Sequence, residues 1–282
     1  MACDCHMHMV LDGQDWRTAI ARHAQAPERN WIRQVLAAYR DAGVTYLRDG
    51  GDRWGVGKAA RQAAPEFGIR YRTPLAPLCQ AGHYGGFIGL RYETIAQYTD
   101  LLRQMKGQGA DFIKIMISGL MDFDRFGALT EEGLSPARIR ELVHIAHQEG
   151  MAVMAHANGA STVLAAAEAG VDSVEHGAYL NREALAAMAE MGTVWCPTLS
   201  TIGNLLGKGR FDERAVRAIL DSALENVAVF AQLGGLVACG SDAGAWAVPH
   251  GIRSEEQWLR QALGSQTEPM IQKGNQAIQN RF

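Results

Sequence analysis

The sequence predicts a (β/α)8 barrel, and two observations favour this fold class. Short runs rich in β-branched and apolar residues alternate with longer amphipathic segments along the whole chain, which is the pattern of repeated βα units around a parallel sheet. The chain has 282 residues, and a barrel of about 250 residues would use nearly all of them. We therefore expect a single domain over residues 1–282.

Eight strands are predicted, several of them almost wholly apolar, as in strands that are covered on both faces. They are residues 2–8, 44–48, 69–75, 111–117, 151–156, 172–176, 193–197 and 236–241. Helical patterns between them include residues 137–149, 161–169, 182–190 and 213–233. A glycine follows a helical pattern, as helix C-caps typically do, at positions Gly43, Gly150, Gly170, Gly192 and Gly234. The same alternation is compatible with an open doubly wound sheet, which is the alternative architecture.

Composition and charge exclude several classes of protein. A net charge of −3, from 27 basic and 30 acidic residues, provides no basic surface for nucleic acid or an anionic membrane. No leader peptide or membrane-spanning segment is readable, so a cytoplasmic location is expected. The five cysteines show no CxxC spacing and are expected to be reduced residues that lie in the core or line the site. We expect a small-molecule substrate as the partner, and a homo-oligomer is compatible with the sequence.

Ionisable residues stand at the ends of several predicted strands. The active face of a barrel is built from the C-terminal ends of its strands and the loops that follow them. His6 and His8, separated by one residue, project from the same side of the first strand. Later strand ends carry, one each, Lys114, His156, His176 and Asp242. Imidazoles and a carboxylate are suitable ligands for Zn²⁺ and related metals, so the set predicts a metal site.

Lys114 needs a separate explanation, because an ammonium group cannot bind a metal ion. A buried lysine has a lowered pKa, and its neutral amine is reactive. Reaction with CO₂ would give a carbamate, which can bridge two metal ions as a carboxylate does. Two ions roughly 3.5–4 Å apart can share a water molecule, lower its pKa and polarise a substrate carbonyl. The set therefore indicates a hydrolytic centre.

The order of these residues resembles that of the amidohydrolase superfamily. Members carry HxH after the first strand, a carboxylated Lys or a Glu after the fourth, His after the fifth and sixth, and Asp after the eighth. The resemblance implies that His6, His8 and Asp242 bind one metal ion and that His156 and His176 bind the other. It also implies a carbamate on Lys114 as the bridge, and Asp242 as the general base toward a bridging hydroxide.

Local sequences are most similar to the imidazolonepropionase-like and prolidase-like branch. They are Arg48-Asp49-Gly50-Gly51, Lys114-Ile-Met-Ile-Ser118-Gly119, Ala155-His156-Ala-Asn-Gly159 and Val174-Glu175-His176-Gly177. In that branch a His after the third strand contacts the substrate carbonyl, which would assign this role to His83. Tyr84, Phe87, Trp246 and His250 are expected to line the pocket, and Asp49 to support the ligands. Many relatives add a flanking β-sandwich, and we expect this barrel to stand without one.

Other interpretations are open at single positions. His144 and His147 are spaced for one helix face and are expected at the surface. Cys5 alternates away from the two histidines and is not expected to act with them. Gly55-Val-Gly57-Lys58 approximates a dinucleotide-binding turn, but no acidic residue follows about 20 positions later. We expect a helix to start there, and a nucleotide-binding protein is the alternative from another class.

The predicted function is a two-metal hydrolase, with Zn²⁺ as the leading metal, that cleaves an amide-type C–N bond. A dipeptide, an N-acyl amino acid and a cyclic amide are all compatible substrates. An ester or lactone hydrolase with the same site is the nearest alternative, because the same attack works on either carbonyl.

Overall fold

The structure, a computed structural model, describes residues 2–282. Ten strands alternate with helices over these residues. The strands are β1 Ala2–Met7, β2 Val44–Asp49, β3 Arg70–Arg72, β4 Leu78–Gln80, β5 Leu90–Tyr92, β6 Ile113–Met116, β7 Val153–Ala157, β8 Ser173–His176, β9 Val194–Cys196 and β10 Leu236–Val237.

The helices follow the strands in the order expected for βα units. They are α1 Trp16–Arg22, α2 Arg29–Asp41, α3 Val56–Ala63, α4 Ile95–Gly107, α5 Pro136–Gln148, α6 Ala160–Glu168, α7 Arg182–Glu190, α8 Ser200–Gly203, α9 Glu213–Gln232, α10 Ser254–Leu263 and α11 Thr267–Arg281. None of these helices is long and apolar enough to cross a membrane.

The strands form two parallel runs, in the orders β1-β2-β3 and β10-β9-β8-β7-β6-β4-β5. Backbone hydrogen bonds join the runs at both ends. The amide of Asp111 donates to Thr73 O at 3.0 Å, next to β3 and β6. On the other side, Cys5 N donates to Cys239 O at 2.8 Å and Asp242 N donates to His6 O at 2.7 Å. The fold is therefore the predicted (β/α)8 barrel.

The third barrel strand is interrupted. Residues 69–75 were expected to form one strand, but β3 ends at Arg72, and β4 then pairs with β6. Pro74 and Pro77 separate the two pieces, and neither can donate a backbone hydrogen bond to a neighbouring strand. The loop that follows β4 therefore lies close to the C-terminal ends of the central strands.

Helix ends follow the local chemistry of the sequence. Side chains accept hydrogen bonds from the first-turn amides of several helices, such as Ser135 before α5 and Asp212 before α9. Each glycine that was predicted to follow a helix has a positive φ, between 67° at Gly192 and 84° at Gly170. These ends are confirmed to within one residue for the helices near residues 137, 161, 182 and 213.

A separate apolar cluster fills the floor of the barrel. Phe112 from the approach to β6, Met154 from β7 and Cys196 from β9 pack there against Ile278 and Phe282 at the end of α11. All five cysteines are buried. The floor closes the N-terminal ends of the strands, so the polar residues of the barrel interior face the opposite end.

Candidate metal centre

Six ionisable side chains converge at the C-terminal end of the barrel. Each one is at least nine-tenths buried. They come from β1 and the residue after it, from β6, β7 and β8, and from the segment after β10; they are His6, His8, Lys114, His156, His176 and Asp242. The fold thus brings together the whole set that was expected to bind metal.

His6, His8 and Asp242 form a compact triad. The Nε2 atoms of the two histidines are 3.4 Å apart. Asp242 Oδ1 lies 3.6 Å from His6 Nε2 and 3.4 Å from His8 Nε2. Metal–ligand bonds of about 2.0–2.1 Å at tetrahedral angles place neighbouring ligand atoms about 3.3–3.4 Å apart. The spacing of these three atoms therefore fits a single metal ion.

Lys114 lies beside this triad. Its Nζ is 3.0 Å from His6 Nε2, and only 1% of the residue is exposed. No carboxylate of the described residues 2–282 lies within 4 Å of this amine. Burial lowers the pKa of Lys114, although the more distant Glu175 and Asp242 act to raise it. A buried amine without an adjacent counter-ion, in contact with the nitrogen of an expected metal ligand, fits the chemistry of a bridging carbamate.

His156 and His176 form the other half of the cluster. Their ring centroids are 4.6 Å apart, and the His176 ring is 5.1 Å from that of His6. One nitrogen of each ring contacts the protein: His156 Nε2 donates to Gly119 O at 3.2 Å, and His176 Nδ1 lies 2.8 Å from Thr198 Oγ1. The opposite nitrogen of each ring is thereby left for a ligand.

Burial keeps the histidines neutral. It is the largest cause of the lowered pKa of His156, which falls to about 3, and Lys114 adds to the effect. Burial also lowers the pKa of His6, His8 and His176 well below the usual range. Neutral imidazole is the form that binds a metal ion.

Two of these residues have an unusual backbone. His176 has a φ of 70° and Asp242 a φ of 58°. The left-handed region is uncommon for residues other than glycine, and such conformations cluster at functional sites. Here they turn the two side chains into the cluster at the point where each chain segment leaves the barrel.

Gly50 leaves space for the His8 ring, and this gives a testable prediction. A Cβ at residue 50 would lie 2.1 Å from His8 Cε1. Gly50→Ala is therefore expected to displace His8 and weaken the binding of added Zn²⁺ by at least about tenfold, as measured by competition with a chromophoric chelator. The control is Gly107→Ala, where nothing lies within 4 Å of the added Cβ. Equal affinity in the two variants would contradict this placement of His8.

The loop between β4 and β5 contains His83 and Tyr84. The His83 side chain is one-third exposed, and its Nδ1 is 3.7 Å from Glu131 Oε1. The Tyr84 ring is closer to the cluster, with its centroid 4.9 Å from that of His156. Burial, Asp242 and Glu131 together raise the pKa of Tyr84, so the phenol is protonated at neutral pH. Tyr84 is thus a hydrogen-bond donor next to the expected ligands.

A row of contacting aromatic rings extends from Tyr84 to the surface. Phe87 lies 5.8 Å from Tyr84 and 5.4 Å from Trp16, measured between ring centroids. Trp16 is 43% exposed. Trp246 lies in a different loop, where Phe211 and the Arg210 guanidinium pack against it. Tyr84, Phe87 and Trp16 thus form an apolar wall that extends from His156 to the surface.

His250 has partners for both ring nitrogens, and its expected place in the pocket lining stays a prediction. Its Nε2 donates to Leu11 O at 2.8 Å, and its Nδ1 is 3.2 Å from the Tyr39 hydroxyl. Both ring nitrogens are therefore used to hold the segment after β1 against α2. The position of His250 in a loop after the eighth barrel strand was compatible with either role.

The remaining polar predictions are resolved by their contacts. Asp49 accepts from Met9 N at 3.3 Å and from Thr73 Oγ1 at 3.0 Å, so it fixes the chain next to His8 without contacting a ligand. His147 lies on the surface of α5, with Nε2 3.0 Å from Asp172 Oδ2. Cys5 is buried, and its thiol is 3.5 Å from Asn275 Oδ1.

The start of α3 does not provide a phosphate site. Gly55 precedes this helix, as expected, but the carboxylate of Asp52 already lies at its N-terminus. This carboxylate accepts from Trp54 N, Val56 N and Gly57 N at 2.8–3.0 Å. These are the amides that would bind a phosphate, and a second anion would be repelled. The structure therefore opposes the nucleotide-binding alternative.

The fold and the site together define a (β/α)8 barrel protein with a cluster of metal-binding residue types at the C-terminal ends of its strands. Residues 3–249 match the amidohydrolase family. The chain belongs to this family.

Individual relatives extend the comparison. The chain is 26% identical over 272 residues to ochratoxinase of Aspergillus niger, an alignment that covers 85% of this chain and 56% of the relative. It thus spans about half the length of this curated relative. Among solved structures, a Xaa-Pro dipeptidase with bound methionine has a TM-score of 0.80 at 22% identity, with 99% of this chain and 75% of that chain covered. The ochratoxinase structure has a TM-score of 0.76 at 22% identity, with coverage of 99% and 69%.

Proposed function

We propose that the protein hydrolyses an amide-type C–N bond at a centre that holds two divalent metal ions, most readily Zn²⁺. The observation that carries this proposal is the spacing of His6 Nε2, His8 Nε2 and Asp242 Oδ1, between 3.4 and 3.6 Å. It matches the separation of ligand atoms around a single zinc ion. Membership of the amidohydrolase family supports hydrolysis as the reaction class.

The proposed ligand sets follow the two halves of the cluster. His6, His8 and Asp242 would hold one ion, His156 and His176 would hold the other, and Lys114 as a carbamate would be a ligand to both. The neutral Lys114 amine forms a N–C bond to CO₂ and loses one proton, which gives an anionic group where the structure has a buried amine. When bound, the ions supply a Lewis acid for the substrate carbonyl and lower the pKa of a nearby water molecule.

The chain's own residues carry the proton transfers in this proposal. Asp242 has one oxygen toward the His6 and His8 pair, while Oδ2 lies 4.0 Å from His176 Nδ1. Oδ2 takes the proton from the attacking water and passes it to the leaving nitrogen. The products are a carboxylic acid and an amine. His83, or the nearer Tyr84, donates a hydrogen bond to the oxygen of the scissile carbonyl.

Dipeptides, N-acyl amino acids and cyclic amides all fit this reaction. The wall formed by Trp16, Phe87 and Tyr84 supports an apolar group beside the scissile bond. The names of the similar proteins, a Xaa-Pro dipeptidase and an ochratoxinase, describe activities of those proteins and support the choice of amides to test first.

The proposal is tested by a hydrolysis screen of the zinc-loaded protein. The panel pairs dipeptides and N-acyl amino acids with esters and lactones of the same acyl groups, and chelator-stripped protein is the control. We expect zinc-dependent release of amine from at least one amide. Turnover of esters or lactones alone would replace the proposal with the ester or lactone hydrolase that the same site permits.

A further inference from the structure

A buried ion pair, Arg48 and Glu175, lies directly beneath His6. Glu175 Oε2 is 2.8 Å from His6 Nδ1, and Glu175 Oε1 is 2.8 Å from Arg48 Nη2. Neither charged side chain has any exposed surface. Glu175, His6 and Arg48 lie on β8, β1 and β2. Their side chains form a row across the barrel interior, between its floor and the candidate metal centre.

Each nitrogen of the Arg48 guanidinium donates a hydrogen bond. Its Nε donates to Cys5 O at 2.6 Å, and Nη1 donates to Ser173 Oγ at 2.9 Å. The Phe282 ring lies 4.4 Å from its guanidinium carbon. Ser173 Oγ in turn donates to Glu175 Oε1 at 2.5 Å. Oε1 thus has two donors. Oε2 and His6 Nδ1 are both buried and make no hydrogen bond to any of residues 2–282, and they face each other at 2.8 Å.

Stability alone does not explain this pair. Removing two charges from water costs several kcal/mol per ion, and well-packed apolar residues in place of a buried ion pair are often neutral or stabilising. Apolar side chains of the floor, Phe112 and Phe282, lie directly against Arg48, so apolar neighbours were available at this position. Its position under His6 indicates a role at the site above.

We propose that Glu175 is a positioning residue for His6 and that Arg48 fixes Glu175 in that role. Glu175 Oε2 accepts the hydrogen bond from His6 Nδ1–H, which leaves the lone pair of Nε2 directed at the cluster. Lys114 Nζ, 3.0 Å from Nε2, is placed to donate to the same lone pair. The inference rests on the proposed function only in taking His6 as a metal ligand.

His6 and His8 differ in what surrounds their Nδ1 atoms. His8 Nδ1 is also buried and has no hydrogen-bond partner among residues 2–282, and no carboxylate of these residues faces it. His6 Nδ1 therefore faces the Glu175 carboxylate at 2.8 Å, whereas the His8 ring packs against Gly50. Metal affinity should consequently depend on Glu175 through His6.

Two double variants test whether zinc affinity depends on a hydrogen-bond acceptor at residue 175. Arg48→Met with Glu175→Gln and Arg48→Met with Glu175→Leu both remove the ion pair without leaving one charge buried and unpaired. The glutamine of the first variant can still accept from His6 Nδ1 and donate to Ser173, whereas the leucine of the second can do neither. Zinc affinity is measured by chelator competition, and the unfolding midpoint of each metal-free variant is measured in parallel.

We expect zinc to bind about 10–100-fold more weakly to the leucine variant than to the glutamine variant. Equal zinc affinities in two folded variants would overturn the role of Glu175 and leave the proposed function standing. A wild-type protein that binds no zinc would overturn both.

A second measurement uses the wild-type chain and does not depend on the folding of the variants. Long-range ¹H–¹⁵N correlation spectra of the metal-free protein report which nitrogen of each neutral histidine carries the proton. The His6 signals are assigned by their loss in His6→Gln. We expect the Nδ1–H tautomer for His6, and the Nε2–H tautomer would overturn the inference.

Discussion

Replacing Lys114 with alanine is expected to lower amide turnover by at least about a thousandfold, which corresponds to about 4 kcal/mol in the activation free energy. The change removes the only group in the cluster that can become a bridging carboxylate, so metal binding is expected to fall as well. Because Lys114 Nζ lies 3.0 Å from His6 Nε2, a short carboxylic acid such as acetate should bind in the space that the side chain leaves and restore part of the activity. Turnover, zinc content and acetate dependence are measured together.

Lys106→Ala is the matched control for this variant. Lys106 lies on α4, is 46% exposed and pairs with Glu149 at the surface, so its removal should leave turnover and zinc content unchanged. Full activity of Lys114→Ala without added acid would contradict the carbamate bridge. Loss of activity in both variants would indicate a general effect on folding instead.

Replacing Asp242 with asparagine is expected to lower kcat by about 10²–10⁴, the contribution typical of a positioned general base. Asparagine keeps the shape of the side chain and tolerates the left-handed φ of 58° that residue 242 adopts. Its amide cannot take up the proton of the attacking water. The measurement is kcat on the best amide from the hydrolysis screen, with the zinc content of the variant determined in parallel.

Asp221→Asn, on the exposed face of α9, provides the control for this change. It should retain wild-type turnover. Wild-type rates in Asp242→Asn would rule out Asp242 as the base, even if the metal ions remained bound.

The helices and most barrel strands could be predicted because their signals are local. Helix ends near Gly150 and Gly192 follow from a residue type that adopts positive φ easily. The break between β3 and β4 was missed, because residues 69–75 contain enough apolar residues to read as one strand. Pro74 was the available signal, since proline interrupts the ladder of a central strand.

The expected metal ligands could be predicted because each one lies at the end of a strand, and the C-terminal ends of barrel strands lie close together. Glu175 and Arg48 were missed as a pair, because they are 127 residues apart and their contact depends on the closed barrel. A local signal existed: Ser173 and Glu175 alternate along β8, which places both polar side chains inside the barrel. The contacts of His250 with Leu11 and Tyr39 were missed, because loop position alone does not show which residues a side chain holds.

The metal content of the active protein tests the central claim most directly. The chain is stripped with a chelator, reloaded with Zn²⁺ and analysed for zinc while its turnover of an amide is followed. We predict that activity returns with the metal and reaches its maximum at two equivalents per chain. Amide hydrolysis by the stripped protein, or full activity with a single equivalent, would contradict the two-metal centre.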